Sequence, residues 1–160
     1  MANKMKVTPG RGLQIRDKGV FNFEKLYGEM KGWFDEYKYD FEEKTYSEKD
    51  GSKGKEIVIE WRAEREVTDH IKYHVDINFR FTGLVPASDN FVKGTAKITF
   101  LASLETDYKE QWDKTVFSSF LYRMYDKYIV KGFIDGHKAK LSKEVKNLQS
   151  VASEVLDFHR

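Results

Sequence analysis

The stretch from Ile71 to Phe81 reads IKYHVDINFRF, and apolar and polar side chains alternate along it without interruption. Successive side chains of a β-strand point to opposite faces of the sheet, so this period of two predicts a strand with one apolar face. The odd-numbered residues form that face. The even-numbered residues form the other face, and they are Lys72, His74, Asp76, Asn78 and Arg80.

Segments on both sides of this strand show the same period and extend the sheet. The quoted stretch is the third strand. The first begins at Tyr37, the second has its inward residues between Ile57 and Ala63, and the fourth has them from Val92 to Leu104. A glycine-containing turn at residues 49–54 and a short link before the third strand make consecutive strands neighbours. The sequence therefore predicts a four-stranded antiparallel meander in the order 1-2-3-4.

Two registers remain open for the hairpin of the second and third strands. Both inward sets are odd-numbered, so paired residue numbers must have an even sum, because a slip of one residue would turn every core side chain outward. One register places Glu66 opposite Lys72 and Arg62 opposite Asp76. The other places Glu64 opposite Lys72, and both registers bring opposite charges together.

The segments that flank the strands have helical spacing. Asn22 is suited to cap a first helix, because its side-chain oxygen can accept a hydrogen bond from a free backbone amide, and the apolar residues after it share one stripe. A second helix is predicted from Asp107, with Glu110 at the capping-box position. A break at residues 132–136 then precedes a last helix over about 138–158.

One apolar face per strand requires that helices cover a single side of the sheet. The predicted fold is a two-layer α+β sandwich, with an N-terminal helix and two C-terminal helices covering one face of the meander. Residues 1–20 carry five basic side chains and one acidic side chain, and they are predicted as a flexible basic arm. Residues 21–160 are predicted as a single α+β domain.

Composition excludes several classes of function. The chain has no cysteine, which excludes disulfides, thiol catalysis and thiolate metal sites. The formal net charge is +2, so no global field favours an anionic partner. The sequence has no apolar run near the length of about 18 residues that a membrane span needs, and no apolar segment typical of a secretory signal. We expect a cytoplasmic protein that does not enter a membrane.

No catalytic, cofactor-binding or metal-binding residue is predicted. His70 and His74 share one strand face, but a separation of roughly 13 Å is too large for one metal ion. Glu43 is the one acid on an inward register, and we interpret it either as a buried acid or as the sign of a β-bulge. The lack of a chemical motif favours a protein that is not an enzyme, although an active site can leave no sequence signature.

The outer face of the predicted sheet is the candidate partner-binding surface. Its third and fourth strands are basic and its first two lean acidic, a division that could dock copies of the chain or bind a nucleic-acid backbone. A second basic cluster opens the last helix, where cations oppose the helix dipole. The candidate partner-binding residues are Lys72, His74, Arg80, Lys93, Lys97, Lys138 and Lys140.

Small inward residues on the fourth strand predict space beside the aromatic helices. The order of one helix, a long meander and a long C-terminal helix resembles the outline of helix-grip ligand-binding folds, and this resemblance implies a cavity for a small apolar ligand. The candidate cavity-lining residues are Gly94, Ala96, Ala102, Trp61 and Tyr73.

These features lead to three functional predictions. The first is a non-enzymatic adaptor or structural protein that acts through protein–protein contacts, with a protein partner or as a homo-oligomer. The second is a carrier of a small apolar ligand. The third is a nucleic-acid-binding protein that uses the basic arm and the outer face of strands three and four, where the scarcity of aromatic side chains argues against single strands.

Overall fold

The computed structural model of the protein describes residues 3–106 and 131–157. These residues form one six-stranded antiparallel sheet and two helices. The elements in chain order are β1 (Asn3–Lys6), β2 (Leu13–Asn22), α1 (Phe23–Glu36), β3 (Asp40–Gly51), β4 (Gly54–Glu66), β5 (Ile71–Ser88), β6 (Phe91–Thr106) and α2 (Lys131–Asp157).

Strands β3 to β6 form the predicted meander, because each is paired antiparallel with the next. Every odd-numbered residue of β5 from Ile71 to Phe81 is buried. The even-numbered residues of β6 from Ala96 to Leu104 are buried as well. The inner face defined by these residues meets the helices, and the opposite face is called the outer face below.

The prediction of four strands is wrong, because β1 and β2 add two more. β1 and most of β2 come from the segment predicted as a basic arm, and both strands pair antiparallel with the edge of β6 that β5 leaves unpaired. The partners of β1 are residues 103–106, and those of β2 are residues 91–100. Alternation alone does not reveal β2, because Asp17 and Gly19 occupy inward positions and interrupt its apolar pattern.

The connection between β1 and β2, residues 7–12, lets both strands pair with this edge of β6. The backbone amide of Val7 donates to the carbonyl oxygen of Ala102 over 2.8 Å, and the Thr8 hydroxyl accepts from the amide of Ala102 over 3.3 Å. Gly12 then has a φ of 106°, and a Cβ there would lie 2.6 Å from the carbonyl oxygen of Phe100. Only glycine fits this turn back to β6.

Helix α1 begins as predicted. The side-chain oxygen of Asn22 accepts a hydrogen bond of 3.0 Å from the backbone amide of Lys25, which satisfies one of the free donors of the first turn. The apolar stripe of α1 is directed into the protein core. Its buried residues are Leu26, Met30, Trp33 and Phe34.

The described residues contain one helix after the sheet, so the prediction of two C-terminal helices is corrected. The helix predicted from Asp107 lies outside the described residues. The predicted break is wrong, because Gly132 and Gly136 both lie within α2. Both glycines are exposed, and each costs a helix only about 1 kcal/mol relative to alanine. The predicted stripe of α2 is buried at Leu141 and Val145 and continues through Leu148, Ala152 and Val155.

The hairpin of β4 and β5 adopts the first of the two open registers. Glu66 is paired with Lys72, and Arg62 is paired with Asp76, whose side chains approach to 3.6 Å. Lys72 also reaches Glu64 at 3.6 Å on the diagonal. This diagonal contact explains why sequence alone leaves both registers open, since Glu64 and Glu66 are both within reach of the same lysine.

One largely buried ion pair joins α2 to the end of β4. An Arg65 guanidinium nitrogen lies 3.0 Å from the Glu144 carboxylate, and another donates to the carbonyl oxygen of Tyr37 over 2.7 Å. The Tyr39 hydroxyl donates to the other Glu144 oxygen over 3.2 Å. The guanidinium also lies over the rings of Tyr39 and Tyr73, at 4.7 and 5.1 Å. The helix layer is therefore anchored to the sheet by charge as well as by apolar packing.

Replacing Glu144 with alanine should lower the free energy of unfolding by about 3 kcal/mol, because the Arg65 guanidinium keeps its burial and loses its carboxylate. Chemical denaturation of the full chain measures this change. Glu154→Ala, on the exposed face of the same helix, is the matched control and should change stability by less than about 0.5 kcal/mol. Equal losses in the two variants would contradict a stabilising role for the pair.

Candidate functional site

Three cations lie side by side across the outer face. The register of β2 with β6 sets Arg16 opposite Lys97, and the register of β6 with β5 sets Lys97 opposite Arg80. Neighbouring strands are about 4.8 Å apart, so these three side chains leave the sheet within about 10 Å of one another. The row exists only because β2 is a strand of the sheet.

Two more lysines extend this row into a patch. Lys18 lies opposite Thr95 one step further along β2, and Lys93 lies on the same face near the start of β6. All five cations are exposed. We call this surface the basic corner, and its residues are Arg16, Lys18, Arg80, Lys93 and Lys97.

Most of the charge in the basic corner has no counter-charge among the described residues. Arg80 pairs with Glu56 at 3.1 Å, and that arginine side chain is 65% exposed. In the part of the chain that the structure describes, no ion pair is formed by the other four cations. Like charges directly opposite each other on paired strands destabilise a sheet. Repulsion among these cations therefore lowers the stability of the folded protein.

The other predicted residues of the outer face lie among acids at its far end. Lys72 is 3.6 Å from Glu64, and the His74 ring lies 2.7 Å from Glu105 and 3.7 Å from Glu64. Charges on the acid-leaning strands form ion pairs as well, since Lys44 lies 3.1 Å from Glu42 on β3. Opposite charges here lie close enough to attract, so the face is divided into a balanced end and an uncompensated basic corner.

The second basic cluster lies in the other layer of the protein. Lys138 is half-buried and Lys140 is exposed on α2, which packs on the inner face of the sheet. Lys140 helps to line a shallow cleft of about 520 Å³ with Tyr37 and Asn147. The structure therefore does not bring the two predicted basic groups together into one surface.

The predicted cavity-lining residues lie in or beside the packed core. Trp61, Tyr73, Ala96 and Ala102 are buried. At Gly94 an added Cβ would lie 2.8 Å from a Leu84 methyl group and from the Thr82 carbonyl oxygen, so β5 already occupies the space beside that glycine. A cavity role for these residues stays a prediction.

The interpretation of Glu43 as the sign of a β-bulge is confirmed, whereas its side chain is half-buried rather than buried. The register of β3 with β4 shifts between Glu43 and Thr45, which marks a β-bulge, and the Glu43 side chain is partly buried. One carboxylate oxygen accepts from the indole nitrogen of Trp61 over 3.0 Å and from the hydroxyl of Tyr27. Burial, reinforced by the hydrogen bond to this carboxylate, raises the pKa of Tyr27 to about 12. The bulge thus directs an acid inward, where it joins α1 to the sheet.

Sequence reasoning misses the Arg65–Glu144 pair, although a signal for it exists. Arg65 is odd-numbered on β4, so the alternation that buries Trp61 also directs Arg65 inward. Glu144 follows Leu141 by one helical turn and so lies on the inner side of α2. Opposite charges at inward positions of two packed elements are a recognisable pairing signal.

A tyrosine–histidine contact extends this polar group toward the start of α2. The Tyr73 hydroxyl lies 2.6 Å from the Nδ1 atom of His137. Burial, with the nearby charge of Glu144, raises the pKa of Tyr73 to about 12. Burial also lowers the pKa of His137, and the neighbouring Lys140 charge lowers it further. Both groups are therefore neutral in the folded protein near pH 7.

Comparison with known proteins assigns no family, because no family model and no curated protein matches the chain. Among the described residues, no group of three or more histidine and carboxylate side chains could hold a metal ion. No helix within residues 3–106 and 131–157 is long and apolar enough to cross a membrane. Within these residues, the basic corner is the surface whose exposed and unpaired charge most favours binding of a partner.

Lys97→Thr should raise the free energy of unfolding by roughly 0.2–1 kcal/mol at low salt, because it removes the cation between Arg16 and Arg80. The gain should shrink at high salt, which screens exposed charges. Denaturation at two salt concentrations measures it. Lys72→Thr on β5 removes an ion-paired lysine and should instead destabilise the protein. A gain for Lys97→Thr that is independent of salt would show that repulsion is not its cause.

The stability contribution of His137 should depend on pH in a defined direction. Its folded pKa is lowered, so the stability of the neutral form is present above the unfolded pKa of about 6.5 and is lost as the pH falls through that value toward the folded pKa. His137→Asn should therefore lose less stability than the unmodified protein between about pH 7.5 and 5.5. Denaturation curves at these pH values measure the effect, and parallel losses in the two proteins would contradict it.

Proposed function

We propose that the protein is a non-enzymatic binding protein whose working surface is the basic corner, and that it binds an extended, negatively charged partner. The observation that carries this proposal is the row of Arg16, Lys97 and Arg80 on three adjacent strands. An anionic partner would supply the counter-charge that four of the five cations of the corner lack within residues 3–106 and 131–157.

The contrast within one sheet face supports this proposal. At the far end, Lys72 and Arg62 face carboxylates across the strands, and their charges help to hold the register. In the basic corner, Arg16 and Lys97 face each other and repel. A partner that neutralises the corner would convert this repulsion into binding free energy. The repulsion also falls with added salt, and binding should fall in the same way.

Self-assembly stays a prediction, and two observations make it less favoured than binding through the corner. The apolar stripe of α2, including Leu141 and Leu148, is buried within this chain rather than left for another copy. Among the described strands, the sheet ends at β3 on one side and at β1 and β2 on the other. β3 carries Lys44, Lys49 and a β-bulge at Glu43, and β2 carries Arg16 and Lys18. Charged residues and bulges are the usual protections of an edge strand against pairing with a second sheet.

Retention on an immobilised sulfated polysaccharide tests the proposed function. Arg16→Ser combined with Lys97→Thr should elute at a clearly lower salt concentration than the unmodified protein, because two contacts of the corner are lost. The matched control is Lys49→Thr combined with Lys53→Ser, which removes the same formal charge from exposed positions at the tip of the β3–β4 hairpin. The control should elute close to the unmodified protein.

Two results would overturn the proposal. One is an equal shift of the two double variants, which would mean that net charge alone governs retention. The other is an unmodified protein that passes through the column without retention at low salt. Thermal unfolding of each variant accompanies the measurement, so that loss of the fold is distinguished from loss of binding.

A further inference from the structure

We infer that the anionic partner is the sugar–phosphate backbone of a double-stranded nucleic acid, read without base specificity. This inference rests on the proposed function and names the partner of the same basic corner. It is carried by three features of that surface: the dispersion of its cations, the neutral polar side chains between them, and the scarcity of apolar or aromatic side chains at its centre.

The cations of the corner are dispersed as a repeating anion would require. They span about 10 Å across the three strands, and Lys93 and Lys97 lie roughly 13 Å apart along β6. A duplex presents one negative charge per about 1.7 Å of its axis, so a patch of this extent faces several phosphates at once. Arg16 and Arg80 also offer planar guanidinium groups that can bind phosphate oxygens in a bidentate manner.

Neutral hydrogen-bonding side chains adjoin these cations on β2, β5 and β6, whereas Val58 and Glu60 adjoin the row on β4. The next row of the outer face consists of Asn78, Thr99 and Gln14, which are paired in register across β5, β6 and β2. Thr95 lies between Lys18 and Thr82 on the other side. Hydroxyl and amide groups join arginine and lysine as the usual contacts to phosphate and sugar. A surface of this composition suits a backbone and offers little to distinguish one base from another.

The same surface is poorly suited to a single strand. Proteins that bind single strands stack bases on aromatic side chains as well as holding phosphates. The outward positions of β2 and β6 that are included in the corner and its adjoining row carry charged, hydroxyl, amide and aliphatic side chains. No aromatic residue lies at these positions, and Phe91, the next outward residue of β6, is half-buried. Unstacked bases would therefore find no platform at the centre of the corner.

An acidic protein or an anionic membrane would need apolar contacts that the centre of the corner does not provide. Stable protein interfaces depend on a few buried apolar or aromatic anchors near their centre, and peripheral membrane binding depends on inserted apolar side chains. Val85, which is 40% exposed, and Val20 flank Lys93, and Phe91 is the next outward residue of β6. These apolar residues lie at the margin of the corner rather than at its centre. The central row of Arg16, Lys97 and Arg80 is charged throughout.

Binding to short duplexes of mixed sequence tests this inference with the full chain. Fluorescence anisotropy should give a weak, sequence-independent dissociation constant of about 1–100 µM, and the logarithm of the affinity should fall linearly with the logarithm of salt with a slope of about −4. DNA and RNA duplexes are both used, because both carry this backbone. Arg16→Ser and Lys97→Thr should each make the slope shallower by about one and weaken binding several-fold.

The comparison probes are a single strand of the same length, polyglutamate, and vesicles that contain an anionic phospholipid. Tighter binding of polyglutamate, vesicles or the single strand than of the duplex would overturn the inference and leave the proposed function standing. Failure of every probe to bind, or equal effects of Lys97→Thr and the control Lys49→Thr, would overturn both. A strong preference for one duplex sequence would also contradict readout of the backbone alone.

Discussion

The rest of this structure depends on how β6 pairs along the side that β5 leaves open. β6 is a strand of 16 residues, and a strand with one unpaired side presents a row of backbone donors and acceptors that must be satisfied by another strand or by water. β5 satisfies one side, and β1 and β2 together satisfy the other. Pairing with β2 places Arg16 and Lys18 beside Lys97, so the surface that we assign to binding is a direct product of this edge.

Local patterns explain most of the fold that sequence reasoning recovers. An alternation as regular as that of residues 71–81 needs no information from elsewhere in the chain, and the Asn22 cap likewise depends on its own neighbours. The pairing of β2 with β6 is different, because it joins distant segments and because Asp17 and Gly19 break the local period. This pairing can be predicted only when it is known that one side of β6 lacks a partner strand, and only the assembled sheet shows that.

Some residues of the candidate site can likewise be predicted from local patterns, and others cannot. Arg80, Lys93 and Lys97 are identified from the alternation of their own strands, whereas Arg16 belongs to a segment that sequence reasoning assigns to a separate arm. Charges are also used in two ways in this protein. Arg65 is enclosed with Glu144 and holds two layers together, while the cations of the basic corner remain exposed and mutually repelling. Burial and pairing, rather than residue type, separate the structural cations from those available to a partner.

The pairing of β2 with β6 also determines when the binding surface comes into existence. During synthesis Arg16 emerges long before Lys97, and β3, β4 and β5 must be made in between. Contacts between such distant segments form slowly, because the entropy of closing a long loop is lost before the contacts contribute favourable free energy. A nascent chain that already displays its N-terminal charges therefore has no assembled patch, and the ability to bind would appear only when the last strand of the sheet has joined.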